Sequence, residues 1–207
     1  MLHAGLVLLF YQAFPALAGP LRLVALGDSL TAGYGLAQEQ GFAVRLEEAL
    51  RAKGHQVRIV NAGVSGDTTA GGLARLDWTL AEGAEAAMVA LGANDMLRGL
   101  PPEQAERNLD AILGRLNQRK LPVLLIGMQA SVNLGADYAA SFNAIYPRLA
   151  KKHGVDLYPF FLEGVALKPG LNQDDGLHPN DKGVLEIVRR ILPKVERLLA
   201  KAERQRP

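Results

Sequence analysis

The sequence predicts an α/β protein, a three-layer α/β/α sandwich on a doubly wound five-stranded parallel sheet. Three observations carry that expectation. Five short, strongly apolar runs recur along the chain, at Leu21–Leu26, Val57–Val60, Ala87–Leu91, Val123–Ile126 and Val155–Tyr158. Between them lie longer segments whose apolar residues recur at helical spacing. A polar, glycine-containing segment follows most of the runs. Strands that are apolar on both faces, alternating with helices, belong to a parallel sheet covered on both sides.

Taken in order, the first strand leads into Gly27-Asp28-Ser29 and then a helix marked by Phe42, Leu46 and Leu50. The second strand is followed by Asn61-Ala62-Gly63-Val64-Ser65-Gly66-Asp67-Thr68, and the third by Gly92-Ala93-Asn94-Asp95. Leu109, Ile112, Leu113 and Leu116 mark the helix before the fourth strand. Phe142, Ile145 and Leu149 mark the helix before the fifth. The last helix is expected to start at Asn180-Asp181 as cap and to bury Val184, Ile187, Val188, Ile191 and Leu192. The loop before it reads Asp174-Asp175-Gly176-Leu177-His178-Pro179-Asn180. Four polar loops thus open on the carboxyl edge of the sheet, where functional groups collect in this architecture.

The length of 207 residues fits one domain with one large core. A net charge of +2, with no basic run interleaved with aromatics, excludes a nucleic-acid partner; Lys151-Lys152-His153 and residues 201–206 read as solvated helix faces. The absence of cysteine excludes disulfides, thiolate metal sites and an acylated lipoprotein cysteine. Residues 6–14 are apolar and Ala16-Leu17-Ala18 has the small-x-small form of a signal-peptidase site, although the preceding residues contain no Lys or Arg. The run is too short for a membrane span. The expected organisation is therefore a signal peptide over 1–18 and a single domain over 19–207. That places the mature protein in the periplasm or outside the cell, without an integral membrane span.

The chemistry follows from which residues share the functional edge. Of four histidines, His3 lies in the signal segment, while His55 and His153 fall in helix-to-strand turns at the opposite edge and read as surface residues. His178 alone is on the functional edge. A serine hydroxyl is a poor nucleophile at neutral pH and needs a base within hydrogen-bond reach, and that base needs a partner to fix its tautomer. Ser29 and His178 supply the first two. Asp175, three residues before His178 across a Gly176 turn, is favoured for the third, with Asp174 as its competitor. The oxyanion formed on attack requires donors aimed at the developing charge. The amide of Ser29 at a helix start, the amide of Gly66 and the side-chain amide of Asn94 are the candidates.

Four blocks carry a family resemblance: GDSLTAGYG around Ser29, NAGVSGDTTAGG around Gly66, LGANDMLRG around Asn94, and DDGLHPN around Asp175 and His178. In order and spacing the chain resembles the SGNH, or GDSL, hydrolases across nearly its whole mature length. Within that family it is similar to the bacterial periplasmic thioesterase, lysophospholipase and arylesterase group. GLARL, NAIYPRLAKK and PFFLEGVALKP add to the likeness. The resemblance implies a flavodoxin-like fold, Ser29 as nucleophile, Gly66 and Asn94 as oxyanion donors, and Asp175 with His178 completing the triad. It also implies a metal-free mechanism with no cofactor. The segment Gln129-Ala130-Ser131-Val132-Asn133 matches the family's substrate loop in position, without its usual basic and proline residues.

The expected function is a monomeric serine esterase acting through an acyl-enzyme on small-molecule carboxylic esters, aryl or short to medium acyl, and on thioesters. Lysophospholipid or acyl-CoA hydrolysis is the alternative main activity, and glycan O-deacetylation a further one. Two other classes fit worse. A response-receiver domain needs an acidic phosphoacceptor where Asn94 stands and a lysine where Pro159 stands, and a catalytically dead binding domain would have lost a triad residue.

Overall fold

The computed structural model describes residues 19–130 and 132–206; the expected signal peptide and Ser131 lie outside the described residues. Five strands, β1 (Leu21–Gly27), β2 (Val57–Gly63), β3 (Ala86–Ala90), β4 (Val123–Ile126) and β5 (Asp156–Tyr158), form one parallel sheet in the order β2-β1-β3-β4-β5. The helices among the described residues are α1 (Ser29–Ala32), α2 (Phe42–Ala52), α3 (Thr69–Ala74), α4 (Leu76–Thr79), α5 (Ala93–Leu97), α6 (Pro102–Gln118), α7 (Ala136–Asn143), α8 (Ile145–His153) and α9 (Asp181–Glu203). The doubly wound α/β/α class read from the sequence is the class observed.

Connection handedness places the layers. A right-handed crossover from β1 out to β2 and crossovers from β3 to β4 and β4 to β5 run in opposite directions, so their helices lie on opposite faces. Accordingly α2 packs on α9 over one face, and α6 packs on α3 and α8 over the other. The winding direction reverses between β1 and β3. That switch point leaves a crevice beyond the carboxyl ends of these two strands.

Burial separates the central strands from the edges. Every residue of β3 and β4 is buried, and β1 is buried save for Arg22, because helices cover both faces. In β2, at one edge, Val57 and Ile59 are buried while Arg58 is exposed, so this strand alternates rather than being apolar throughout. It also runs to Gly63, three residues past its apolar run, because the pairing with β1 continues in register to Gly27↔Gly63.

Short helices occupy segments whose sequences read as loops. The glycine-rich stretch TAGGLA forms α3 against its low helix propensity. Thr68 caps it by accepting from the Gly71 amide at 3.3 Å, and a β-carbon at Gly72 would overlap the Leu91 side chain. Close packing of this helix on the end of β3 outweighs the backbone entropy that glycine loses there. At the other end of the chain α9 begins as the sequence predicted, with the Asn180 side chain accepting from Gly183 N at 3.0 Å. Among the described residues no helix is long and apolar enough to cross a membrane.

Candidate active site

Ser29 is the first residue of α1, reached by a turn that leaves β1 after Gly27. A side chain at Gly27 would collide with Thr31, and one at its register partner Gly63 with the backbone of Ala32. Glycine at both positions lets α1 sit directly on the sheet end. Asp28 caps the helix, its buried carboxylate accepting from Leu30 N at 3.0 Å. Desolvation raises the Asp28 carboxyl from 3.8 to about 6, against the lowering effect of the Leu30 amide and of nearby His178.

His178 approaches from the loop before α9. Its Nε2 lies 2.9 Å from Ser29 Oγ and its Nδ1 lies 2.6 Å from Asp175 Oδ2. The other oxygen of Asp175 accepts from the amides of Leu177 at 2.9 Å and His178 at 3.0 Å, made possible by a left-handed Gly176 at φ 69°. Those bonds, the His178 amide foremost, lower the Asp175 carboxyl from 3.8 to about 2. An ionised carboxylate only accepts, so Nδ1 carries the proton and the Nε2 lone pair faces the serine hydroxyl. The carboxylate on the imidazole is therefore that of Asp175, and Asp174 is exposed beside it.

Gln173 fixes the position of this loop. Its amide donates to His178 O at 2.7 Å, and its side chain donates to Tyr34 O at 2.8 Å and Pro179 O at 3.0 Å. The Tyr34 ring packs on the imidazole with centroids 4.8 Å apart. The other described histidines stand away from this edge. His55 faces Glu196 at 3.4 Å, and His153, expected as a plain surface residue, is mostly buried in a 2.6 Å contact with Asp110.

Gly66 and Asn94 come from the loops after β2 and β3. Gly66 is left-handed at φ 81°, a conformation that a side chain would strain. Asn94 Nδ2 donates to Asp67 O at 2.9 Å, so the two loops are tied directly. Buried Asp95 strengthens that tie by accepting from Thr69 N at 2.8 Å and Thr69 Oγ1 at 2.6 Å, while Asn108 Nδ2 donates to the same hydroxyl at 3.0 Å. Arg75 connects the second loop to the first strand, with Nε on Asp67 Oδ2 at 2.7 Å and Nη2 on Gly27 O at 3.0 Å. Asp28, Asp95, Arg75 and Tyr34 were not singled out from sequence. Asp28, Asp95 and Tyr34 lie in the sequence blocks and Arg75 just past the second, but the fold sets what they touch: Arg75 reaches Gly27 across 48 residues and Asp95 reaches Thr69 across 26.

Beside Ser29 and His178 opens an apolar cavity of about 560 Å³. Met96, Met128, Phe160, Leu162 and Leu134 contribute to its wall, and Gln129, Ala130 and Asn133 of the expected substrate loop line it as well. Val132 begins a short 3₁₀ turn, Val132–Leu134, in the same loop. Such a cavity has room for an aliphatic chain beside the Ser29 hydroxyl. Among the described residues no group of three His, Cys, Asp or Glu side chains could hold a metal ion.

The chain is similar to known proteins over most of its length. A model of the GDSL-like Lipase/Acylhydrolase family matches residues 25–184. The chain is 40% identical to Esterase TesA of Pseudomonas aeruginosa over 196 residues, covering 94% of this chain and 95% of the relative. It is 42% identical over 179 residues to Thioesterase 1/protease 1/lysophospholipase L1 of Escherichia coli, covering 86% and 84%. Among solved structures, AlinE4, an SGNH-hydrolase family esterase, superposes with a TM-score of 0.75 at 48% identity over 89% of this chain and 99% of that one. The sequence blocks, the doubly wound sheet and these likenesses agree: the chain belongs to the GDSL-like lipase/acylhydrolase family and is a hydrolase of ester bonds.

Proposed function

We propose that Ser29, His178 and Asp175 are the catalytic triad, and that the amides of Ser29 and Gly66 with the Asn94 side chain form the oxyanion hole. The observation that carries this reading is the continuous chain from Ser29 Oγ to His178 Nε2 at 2.9 Å and from Nδ1 to Asp175 Oδ2 at 2.6 Å. His178 takes the proton as Ser29 Oγ bonds to the ester carbonyl carbon, and the oxyanion forms towards the three donors. Collapse of this intermediate expels the alcohol, which leaves with the proton from His178. Water, deprotonated by the same imidazole, then releases the acid and restores Ser29.

The substrates are small carboxylic esters, with the acyl chain in the apolar cavity. Thioesters enter the same reaction, since only the leaving group changes. The relatives named esterase and thioesterase/lysophospholipase support both. Leu97, Leu134, Leu167 and Leu177, each at least 44% exposed, ring the cavity and favour acyl chains longer than acetyl. That observation supports medium-chain esters and lysophospholipids over glycan acetates, whose polar sugar would face an apolar wall. A panel of p-nitrophenyl esters, acyl thioesters and lysophospholipids tests the reading, with wild type beside Ser29→Ala. Turnover by Ser29→Ala at the wild-type rate, or a phosphonate label found on another residue, overturns it.

The leader reading is part of the same proposal: residues 1–18 direct export, cleavage follows Ala18, and the mature enzyme is one domain over 19–207 acting in the periplasm or outside the cell. The mass of the protein recovered from a periplasmic extract, and its amino-terminal residue, check this.

A further inference from the structure

Resting on the oxyanion-hole reading above, we propose that Arg98 is a positioning residue that sets the Gly66 peptide for catalysis. Four contacts anchor the loop carrying Gly66 from its base. Val64 N donates to Gly27 O at 3.1 Å and Asp67 N to Val64 O at 3.0 Å, while Arg75 and Asn94 hold Asp67. Ser65 and Gly66 stand above these anchors at the exposed tip. Glycine there has the widest choice of backbone angles, so the planes on either side of Gly66 take the orientation that their partners impose.

The partner on the carbonyl side is Arg98. Its Nη2 donates to Gly66 O at 2.6 Å, a short charge-assisted bond. The backbone amide of Arg98 donates to Asn94 O at 3.1 Å. One residue thus joins the two non-serine donors of the oxyanion hole, through its main chain to Asn94 and through its guanidinium to Gly66. The Gly66 carbonyl turns towards the cation, and ψ of Gly66 is fixed with it. The Gly66 amide lies in the preceding peptide plane, joined to this one through the glycine Cα, so holding the carbonyl narrows the orientations the amide can take. Apart from its chain neighbours, a β-carbon at Gly66 would meet no atom closer than Arg98 Nη2 at 3.7 Å, so the space on that side of the tip is open.

The role differs from substrate binding and from structural support, and three measurements separate them. For Arg98→Ala, kcat on p-nitrophenyl acetate is expected to fall about 10- to 100-fold with KM within about threefold, less than or equal to the loss of a whole oxyanion donor. Affinity for an aryl trifluoromethyl ketone, which adds Ser29 Oγ reversibly to its carbonyl and leaves an oxyanion, should weaken by the same factor. Arg98→Lys, which keeps a charged donor, should recover most of both, and kcat per phosphonate-titrated Ser29 removes any misfolded fraction. A rise in KM with kcat intact would make Arg98 a substrate contact and overturn the proposal. So would a kcat loss without loss of ketone affinity. If Ser29→Ala is inactive while Arg98→Ala is fully active, this inference alone fails; if Ser29→Ala is active, the site reading beneath it fails.

Discussion

On the wall of the groove built from the ends of β1, β2 and β3, side chains are held by hydrogen bonds from neighbouring loops. Asp95 grips Thr69, Asn94 grips Asp67, and Arg75 spans Asp67 and Gly27. The opposite wall, between the loop after β4 and residues 160–167, presents apolar surface instead. Its rim includes Leu167, 92% exposed and in a left-handed conformation at φ 59°. Hydrogen bonds fix direction to within a few tenths of an ångström, which an oxyanion hole requires. Apolar contact is non-directional and roughly proportional to area, which suits chains of different length. In the proposed reaction the first wall sets the rate and the second the choice of acyl group.

The largest effect should come from breaking the link between Ser29 on the polar wall and His178 in the loop before α9. Ser29→Ala and His178→Ala are each expected to lower kcat by at least about 10⁴-fold, and the double variant should lose no more than either one. Multiplicative losses would show that the two act separately and would dissolve the triad. Next in size is Asp175→Asn, which leaves serine and histidine in place but with the wrong tautomer available, at a loss of up to roughly 10⁴-fold. Asp174→Asn, measured beside it, should be nearly silent; the reverse pattern would reassign the carboxylate.

Variants of the apolar wall should sharpen the contrast. Leu134→Ser and Leu167→Ser are expected to lower kcat/KM for a decanoyl ester about fivefold to tenfold, as partial burial of one leucine implies. Acetyl ester turnover should stay within about twofold of wild type, because a two-carbon acyl group does not reach the rim. Equal losses on both esters would mean that the wall supports the catalytic geometry rather than selecting chains.

The smallest effect on rate, and a distinct one on stability, concerns Asp28. Its carboxyl is raised to about 6 in the folded protein, chiefly by desolvation, whereas in the unfolded chain it titrates near 3.8. Between those values the folded state holds the extra proton, so wild-type stability falls as pH rises through this window and then levels off. Asp28→Asn retains a capping oxygen and lacks that loss. Its stability relative to wild type should therefore increase between pH 4 and 6, by up to about 3 kcal/mol, and stay constant above. A urea-midpoint difference that does not change across the window would refute the burial argument. Asp175 behaves oppositely: its stabilising contribution is present above about 4 and disappears as pH falls towards about 2.

Much of this protein is legible in its sequence. Apolar strands alternating with helical spacing define the sheet class, because a strand covered on both faces has no polar side to show. The strand-end rule then collects Ser29, Gly66, Asn94 and His178 on one edge without any distance being known. Spacing favours Asp175 over Asp174 and the family resemblance selects it, and the structure puts its carboxylate on the imidazole. The readings that needed adjustment were local. β2 extends to Gly63 because its partner does, and α3 forms from glycine-rich sequence because Gly72 lets it pack closely on Leu91 at the end of β3.

What the sequence alone determined, then, is the alternation of elements, the four blocks and the types of residue brought to the carboxyl edge, all carried by short-range periodicity and spacing. Only the tertiary structure decided which groups pair across that edge. Arg98 on Gly66, Arg75 on Gly27, Tyr34 over His178 and the desolvation of Asp28 join residues far apart in the chain. Such pairings depend on how strand register and helix packing place two loops within hydrogen-bond reach. That distance is a property of the assembled sheet and not of any one segment.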